Sequence, residues 1–156
     1  MIERERVKGP LLFQNDRITR FYNGGKLLNS WRRMEEVEDS HQCEELLVTS
    51  IGAVSKGESP GFAVSRTIEE QGSHLLSDII KEYPAEVLGK EFEEYNPGNL
   101  SVLARVGDTT VRLVMQCHLK CEDARRYFGM NVGKTEAWYM ADVREEGAEE
   151  PCVHAV

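Results

Sequence analysis

Two short segments hold the side chains best suited to chemistry: Gln116-Cys117-His118 and Gly133-Lys134-Thr135-Glu136-Ala137-Trp138-Tyr139. Imidazole and carboxylate are common ligands of zinc and other divalent cations, and an amide oxygen is a less usual one. Residues 111–119 read as a strand, on which successive side chains take opposite faces. Arg112, Val114, Gln116 and His118 then share one face, and Val111, Leu113, Met115, Cys117 and Leu119 share a wholly apolar one. In the second segment Lys134, Glu136 and Trp138 fall together. Two such strands in one wall would bring Gln116, His118, Glu136 and Lys134 to a single point. Lys134 is suited to bind a phosphate or oxyanion, or to act as an acid/base group. Arg112 can do similar work from two steps back, and Trp138 can shape a pocket or fill a core. By pattern alone, ordinary roles compete: a strand histidine is usually a satisfied or exposed residue, and Lys134 with Glu136 could be a surface pair.

The elements that must position these groups follow from punctuation and periodicity. Residues 1–25, with Pro10 and Asn23-Gly24-Gly25, read as irregular or edge structure, and Lys26 to Met34 as a short helix. Glu35 to Glu45 is acidic and reads as an exposed loop. Leu46 to Ile51 reads as a strand, followed by a Gly/Ser/Pro-rich loop from Ser55 to Gly61. Ser73 suits the N-cap of a helix over 74–83, where Leu75, Leu76, Ile79, Ile80 and Tyr83 recur at helical spacing. Pro84 and Gly89 bound a second short helix, and Pro97-Gly98-Asn99 is a turn. Strands are expected over 100–106, 110–119 and 134–143. Between the last two, Glu122 and Asp123 open a helix that Arg125, Arg126 and Gly129 close, with charges matched to the helix dipole. Alternating strands favour an antiparallel sandwich or barrel, so the fold class is mainly β with helical segments, α+β.

The 156 residues suffice for one domain: a lead-in over 1–45, then 46–143 carrying the motif. The formal net charge of −8 argues against general nucleic-acid or anionic-membrane binding. No apolar run has transmembrane length, and the charged start Met1-Ile2-Glu3-Arg4-Glu5-Arg6 lacks the apolar stretch of a signal peptide. A cytoplasmic location follows as the expectation. Cys43, Cys117, Cys121 and Cys152 form no C-x-x-C pair and read as reduced thiols. Motifs for a serine nucleophile elbow, a P-loop or a dinucleotide fold are missing from the sequence.

The two segments resemble the signature of class I mannose-6-phosphate isomerases, which carry Q-x-H-P in one strand and G-K-T-E-x-W in a nearby one. Glu122 to Phe128 resembles the family's short intervening helix, and Gly24 to Leu28, Leu76 to Ile80 and Pro84 to Gly89 fit its amino-terminal region more loosely. The resemblance implies a cupin-type jelly-roll barrel preceded by short helices. It implies one Zn²⁺ held by Gln116, His118 and Glu136, with Lys134 as the group for substrate contact or proton transfer. It also implies reversible conversion of mannose 6-phosphate, a sugar phosphate, to fructose 6-phosphate through an enediol. Two departures stand out. Leu119 occupies the position of the family's proline, and the family's remaining histidine ligand and catalytic arginine come several strands later. His154 follows Glu136 too closely to match that histidine. The expectation is therefore the amino-terminal portion of such an isomerase, with an incomplete barrel and little or no activity alone. The competing expectation is a non-catalytic cupin-like module that binds a sugar or a partner. The oligomeric state is not legible.

Overall fold

The computed structural model describes residues 2–52, 62–95, 98, 100–129 and 133–145. The loop expected over 55–61, most of the 97–99 turn, and the tail with Cys152 and His154 lie outside the described residues. The chain divides into two compact units, Met1–Val111 and Arg112–Val156.

In the first unit the elements run α1 (Arg4–Val7), β1 (Asp16–Ile18), α2 (Lys26–Trp31), β2 (Glu44–Val48), α3 (Leu76–Glu82), α4 (Pro84–Leu88), α5 (Lys90–Tyr95) and β3 (Ala104–Gly107). The three strands form one open antiparallel sheet in the order β1-β2-β3. The described architecture is thus mixed α and β with a small sheet. The second unit contains α6 (Cys121–Phe128).

Helical spacing locates the main core. Leu76, Ile79 and Ile80 are buried along one face of α3, and Ile79 packs with Ile2 and Val7. Ile18, Leu46 and Ala63 form a second cluster under the sheet. Pro84 opens α4 and Gly89, at φ 81°, ends it, as expected. Ser73 does not cap α3. It adopts φ 56° in a turn where its hydroxyl accepts from Gln14 Nε2, and the helix begins three residues later. Near Gly24 the backbone comes so close to Asp108 that an added Cβ would lie 1.9 Å from its carbonyl oxygen. The Asp108 carboxylate in turn accepts from the Gly25 and Leu27 amides at 3.0 and 2.8 Å, satisfying the open start of α2.

Glu44 and Glu45, expected in an exposed acidic loop, are instead buried in the central strand. Arg17 stands directly across from Glu45, and its guanidinium lies 3.1 Å from the carboxylate. Arg32 binds the other oxygen. Glu44 accepts from Arg20 at 2.6 and 2.9 Å, binds Tyr22, and lies 3.4 Å from Arg105. Gly107 stands opposite Glu44 on β3. Two carboxylates can stay in this interior because each meets at least two cationic or hydrogen-bonding partners.

Removing Glu45 would leave the partly buried Arg17 and Arg32 guanidiniums without their carboxylate. Glu45→Ala is expected to cost about 3–5 kcal/mol, measured as a lowered urea midpoint. Lys81→Ala, which breaks an exposed pair with Asp78, should cost under ~0.5 kcal/mol. Equal losses would contradict the role given to Glu45. Burial and then the neighbouring Glu44 push the Cys43 thiol upward. The folded state therefore keeps this proton where the unfolded chain loses it, and stability should decline as pH rises above about 9. At pH 8.5 a disulfide-exchange reagent should modify the exposed Cys117 and Cys121 at once, and Cys43 only on unfolding. Prompt labelling of Cys43 would contradict its burial.

Candidate metal-binding and proton-transfer site

The second unit brings three of the expected residues together. His118 Nε2 lies 3.1 Å from Glu136 Oε2. Lys134 Nζ lies 3.3 Å from the same Nε2 and 3.2 Å from Glu136 Oε1. Carboxylate, imidazole and ammonium thus close a ring across a sequence separation of 16 residues. Glu136 and His118 keep 18% and 25% of their side-chain surface exposed, whereas Lys134 keeps 53%.

These groups are not carried by the expected pair of strands. Residues 111–119 and 134–143 form no strand among the described residues. The side that reads as wholly apolar is largely open, with Met115 84% exposed and Val111 also exposed. Without a ladder, alternation does not fix side-chain direction, and a partner two residues away need not follow. Gln116 is exposed, as are Arg112 and Trp138, and no hydrogen bond among the described residues joins them to the ring.

A close backbone approach brings the segments together instead. The Lys134 amide donates to the Leu119 carbonyl at 3.1 Å. A Cβ on Gly133 would lie 2.2 Å from that same oxygen and 2.7 Å from the Lys120 carbonyl carbon. Only a residue without a side chain permits this contact, which explains the glycine before Lys134 by steric need. Between the segments α6 forms as expected, with Glu122 and Asp123 in its first turn, Arg125 and Arg126 in its last, and Gly129 at φ 64° closing it.

The ring has a specific chemical requirement. One imidazole nitrogen cannot both donate a proton to Glu136 and accept one from Lys134. With Nε2 protonated, the His118–Glu136 contact is a hydrogen bond. With Nε2 bare, a nitrogen lone pair faces a carboxylate oxygen at 3.1 Å, an arrangement that calls for a proton or a cation between them. Neighbouring ligands of tetrahedral zinc stand about 3.3 Å apart, given metal–ligand bonds near 2.0–2.1 Å. His118 and Glu136 therefore fit two adjacent positions of such a site. The rest of the ligand set is not assembled: Gln116 is not joined to them, and no group of three or more His, Cys, Asp or Glu is arranged for a metal among the described residues.

The buried Glu44–Glu45 cluster was not legible as a site, because its acidic run reads as a solvated loop. Its carboxylates are engaged by Arg17, Arg20, Arg32 and Arg105. No helix among the described residues is long and apolar enough to cross a membrane. Comparison with protein-family models, with curated proteins and with solved structures finds no match to the chain.

The steric role of Gly133 is open to test. Gly133→Ala should break the Lys134–Leu119 hydrogen bond, and amide hydrogen exchange at Lys134 should accelerate toward the rate of an open amide. Retained protection in the variant would show that the close approach is dispensable.

Proposed function

We propose that the Arg112–Val156 unit carries the metal and proton-transfer site of a sugar-phosphate isomerase of the mannose-6-phosphate isomerase type. One observation carries this reading: His118, 16 residues before Lys134, meets Lys134 and Glu136 within 3.3 Å. The resemblance of 116–118 and 133–139 to that family's paired motifs points the same way. His118 and Glu136 would hold the cation, with Gln116 the remaining candidate ligand, and zinc bound there would supply Lewis acidity toward substrate oxygens.

The chain's own groups do the rest. Lys134 reaches the site from its exposed edge, where its ammonium can pair with an anionic substrate. In its neutral form it can take a proton from the carbon beside a carbonyl, leaving an enediolate, and return that proton to the neighbouring carbon while the hydroxyl proton passes from one of the two adjacent oxygens to the other. Arg112 is the second candidate for the phosphate, and Trp138 for the sugar face. The jelly-roll barrel belongs to this proposal as the scaffold the resemblance implies.

A second reading has an observation in its favour. Lys134 is half-exposed, and Tyr139 and Met140 beside the motif are exposed too. An open site does not exclude water, which suits a sugar-binding module better than an efficient isomerase. Slow turnover is therefore expected even under the first reading.

The purified chain should bind one zinc, and His118→Ala and Glu136→Gln should abolish this in elemental analysis. Conversion of mannose 6-phosphate to fructose 6-phosphate, followed in a coupled assay, should fall about 100-fold or more in Lys134→Met. Zinc binding with sugar-phosphate binding but no turnover would favour the module. No zinc at all would defeat both metal readings.

A further inference from the structure

We propose that the exposed apolar surface of the Arg112–Val156 unit is a self-association surface. Its occupant is the same surface of a second copy of this chain, with the two α6 helices antiparallel across a two-fold axis. The surface is independent of the metal reading above.

Three segments of this unit leave large apolar side chains open to water: Val114-Met115, Tyr127-Phe128 and Trp138-Tyr139-Met140. All three are held near one crossing of the chain. The His118–Glu136 contact fastens the first segment to the third, and the Lys134 amide donates to the Leu119 carbonyl. Cys121, which opens α6, accepts from the Gly133 amide at 3.3 Å. A helix of this size is about 12 Å long, so Tyr127 and Phe128 at its far end stay near that crossing.

The open area matches what a stable dimer needs. Tyr127, Phe128 and Tyr139 are 63%, 66% and 90% exposed, and Trp138 is half-exposed. At roughly 150–250 Å² per aromatic side chain, these four leave about 500 Å² uncovered. Val114, Met115 and Met140 bring the total toward the ~800 Å² that each partner gives to a stable interface. The residue types agree, because aromatic side chains, Met and Arg are enriched in interfaces. The Arg126 guanidinium lies 5.1 Å from the centre of the Tyr127 ring, which joins basic and apolar surface at that end of the helix.

Charge identifies the occupant. In a two-fold interface the same patch meets itself, so it must be its own complement. The α6 helix has Glu122 and Asp123 in its first turn and Arg125 and Arg126 in its last. Two such helices laid antiparallel set each acidic turn against the other's basic turn, and their dipoles oppose. The described residues of this unit nearly balance cations and carboxylates, whereas the whole chain carries a formal net charge of −8. Repulsion between whole chains acts over longer distances and is screened beyond about 8 Å at physiological salt, while contacts across the surface are short.

The test is sedimentation of the full chain at increasing concentration in about 0.15 M salt. A monomer–dimer equilibrium is expected. Phe128→Ser and Tyr139→Ser should each raise its dissociation constant about tenfold or more, with folding checked by circular dichroism. Glu122→Lys with Asp123→Lys should be monomeric where the wild type dimerises, as should Arg125→Glu with Arg126→Glu. Mixing these two charge-reversed chains should restore a dimer, because opposite charges face each other again. An unfolded variant would not be rescued by mixing, so the restored dimer separates a lost contact from a lost fold. A chain that stays monomeric at every concentration would overturn the proposal, as would a dimer that neither serine substitution weakens. Growth beyond dimers would overturn the two-fold arrangement, and failure of the mixed chains to pair would overturn the antiparallel helices.

Discussion

The first unit depends on two carboxylates buried in the middle strand of its sheet. Glu44 and Glu45 sit side by side in β2, the middle strand, and neither can turn to water. Burying such groups is costly unless charge and hydrogen bonds are returned. Arginines return them from several directions: Arg17 in β1, Arg20 just beyond it, Arg32 at the end of α2 and Arg105 in β3. The two separate sets of contacts, Arg17 and Arg32 on Glu45 and Arg20, Tyr22 and Arg105 on Glu44, thereby specify which elements may surround β2. A lysine in place of Arg20 would offer one donor group where two contacts now reach Glu44 Oε2, so arginine and lysine are not interchangeable here.

The second unit shows a different economy. It has one described helix and much exposed apolar surface, with Tyr139 90% and Phe128 66% exposed. Yet it holds His118, Lys134 and Glu136 in mutual contact. A hydrogen bond from Lys134 to Leu119 and the missing side chain at Gly133 account for the local approach. The ring then ties the segments further, because imidazole and ammonium both reach the same carboxylate.

What the sequence made legible differs between the two units. Periodicity located α3 although its expected cap, Ser73, was misplaced, and Pro84, Gly89 and Gly129 bounded α4 and α6 because those ends depend on nearby residues. Strand alternation was a poorer guide. It grouped Lys134 with Glu136 and assigned His118 to the same point, and those three do meet. It also included Gln116, which stays apart because no ladder fixes the direction of residues 111–119. Glu44 and Glu45 were misread for the opposite reason. Their acidity signals solvent, and only arginines far away in sequence make burial tolerable.

The contact between Leu119 and Gly133–Lys134 has a consequence for how this site can vary. The chain leaves the site at Leu119 and returns beside it at Gly133. Whatever lies between, α6 included, is a detour whose two ends are pinned together. Its start belongs to the crossing, where Cys121 Sγ accepts from the Gly133 amide at 3.3 Å. Insertions or losses are therefore expected to be absorbed beyond that first turn, while Leu119 to Cys121 and Gly133 stay fixed by the contact.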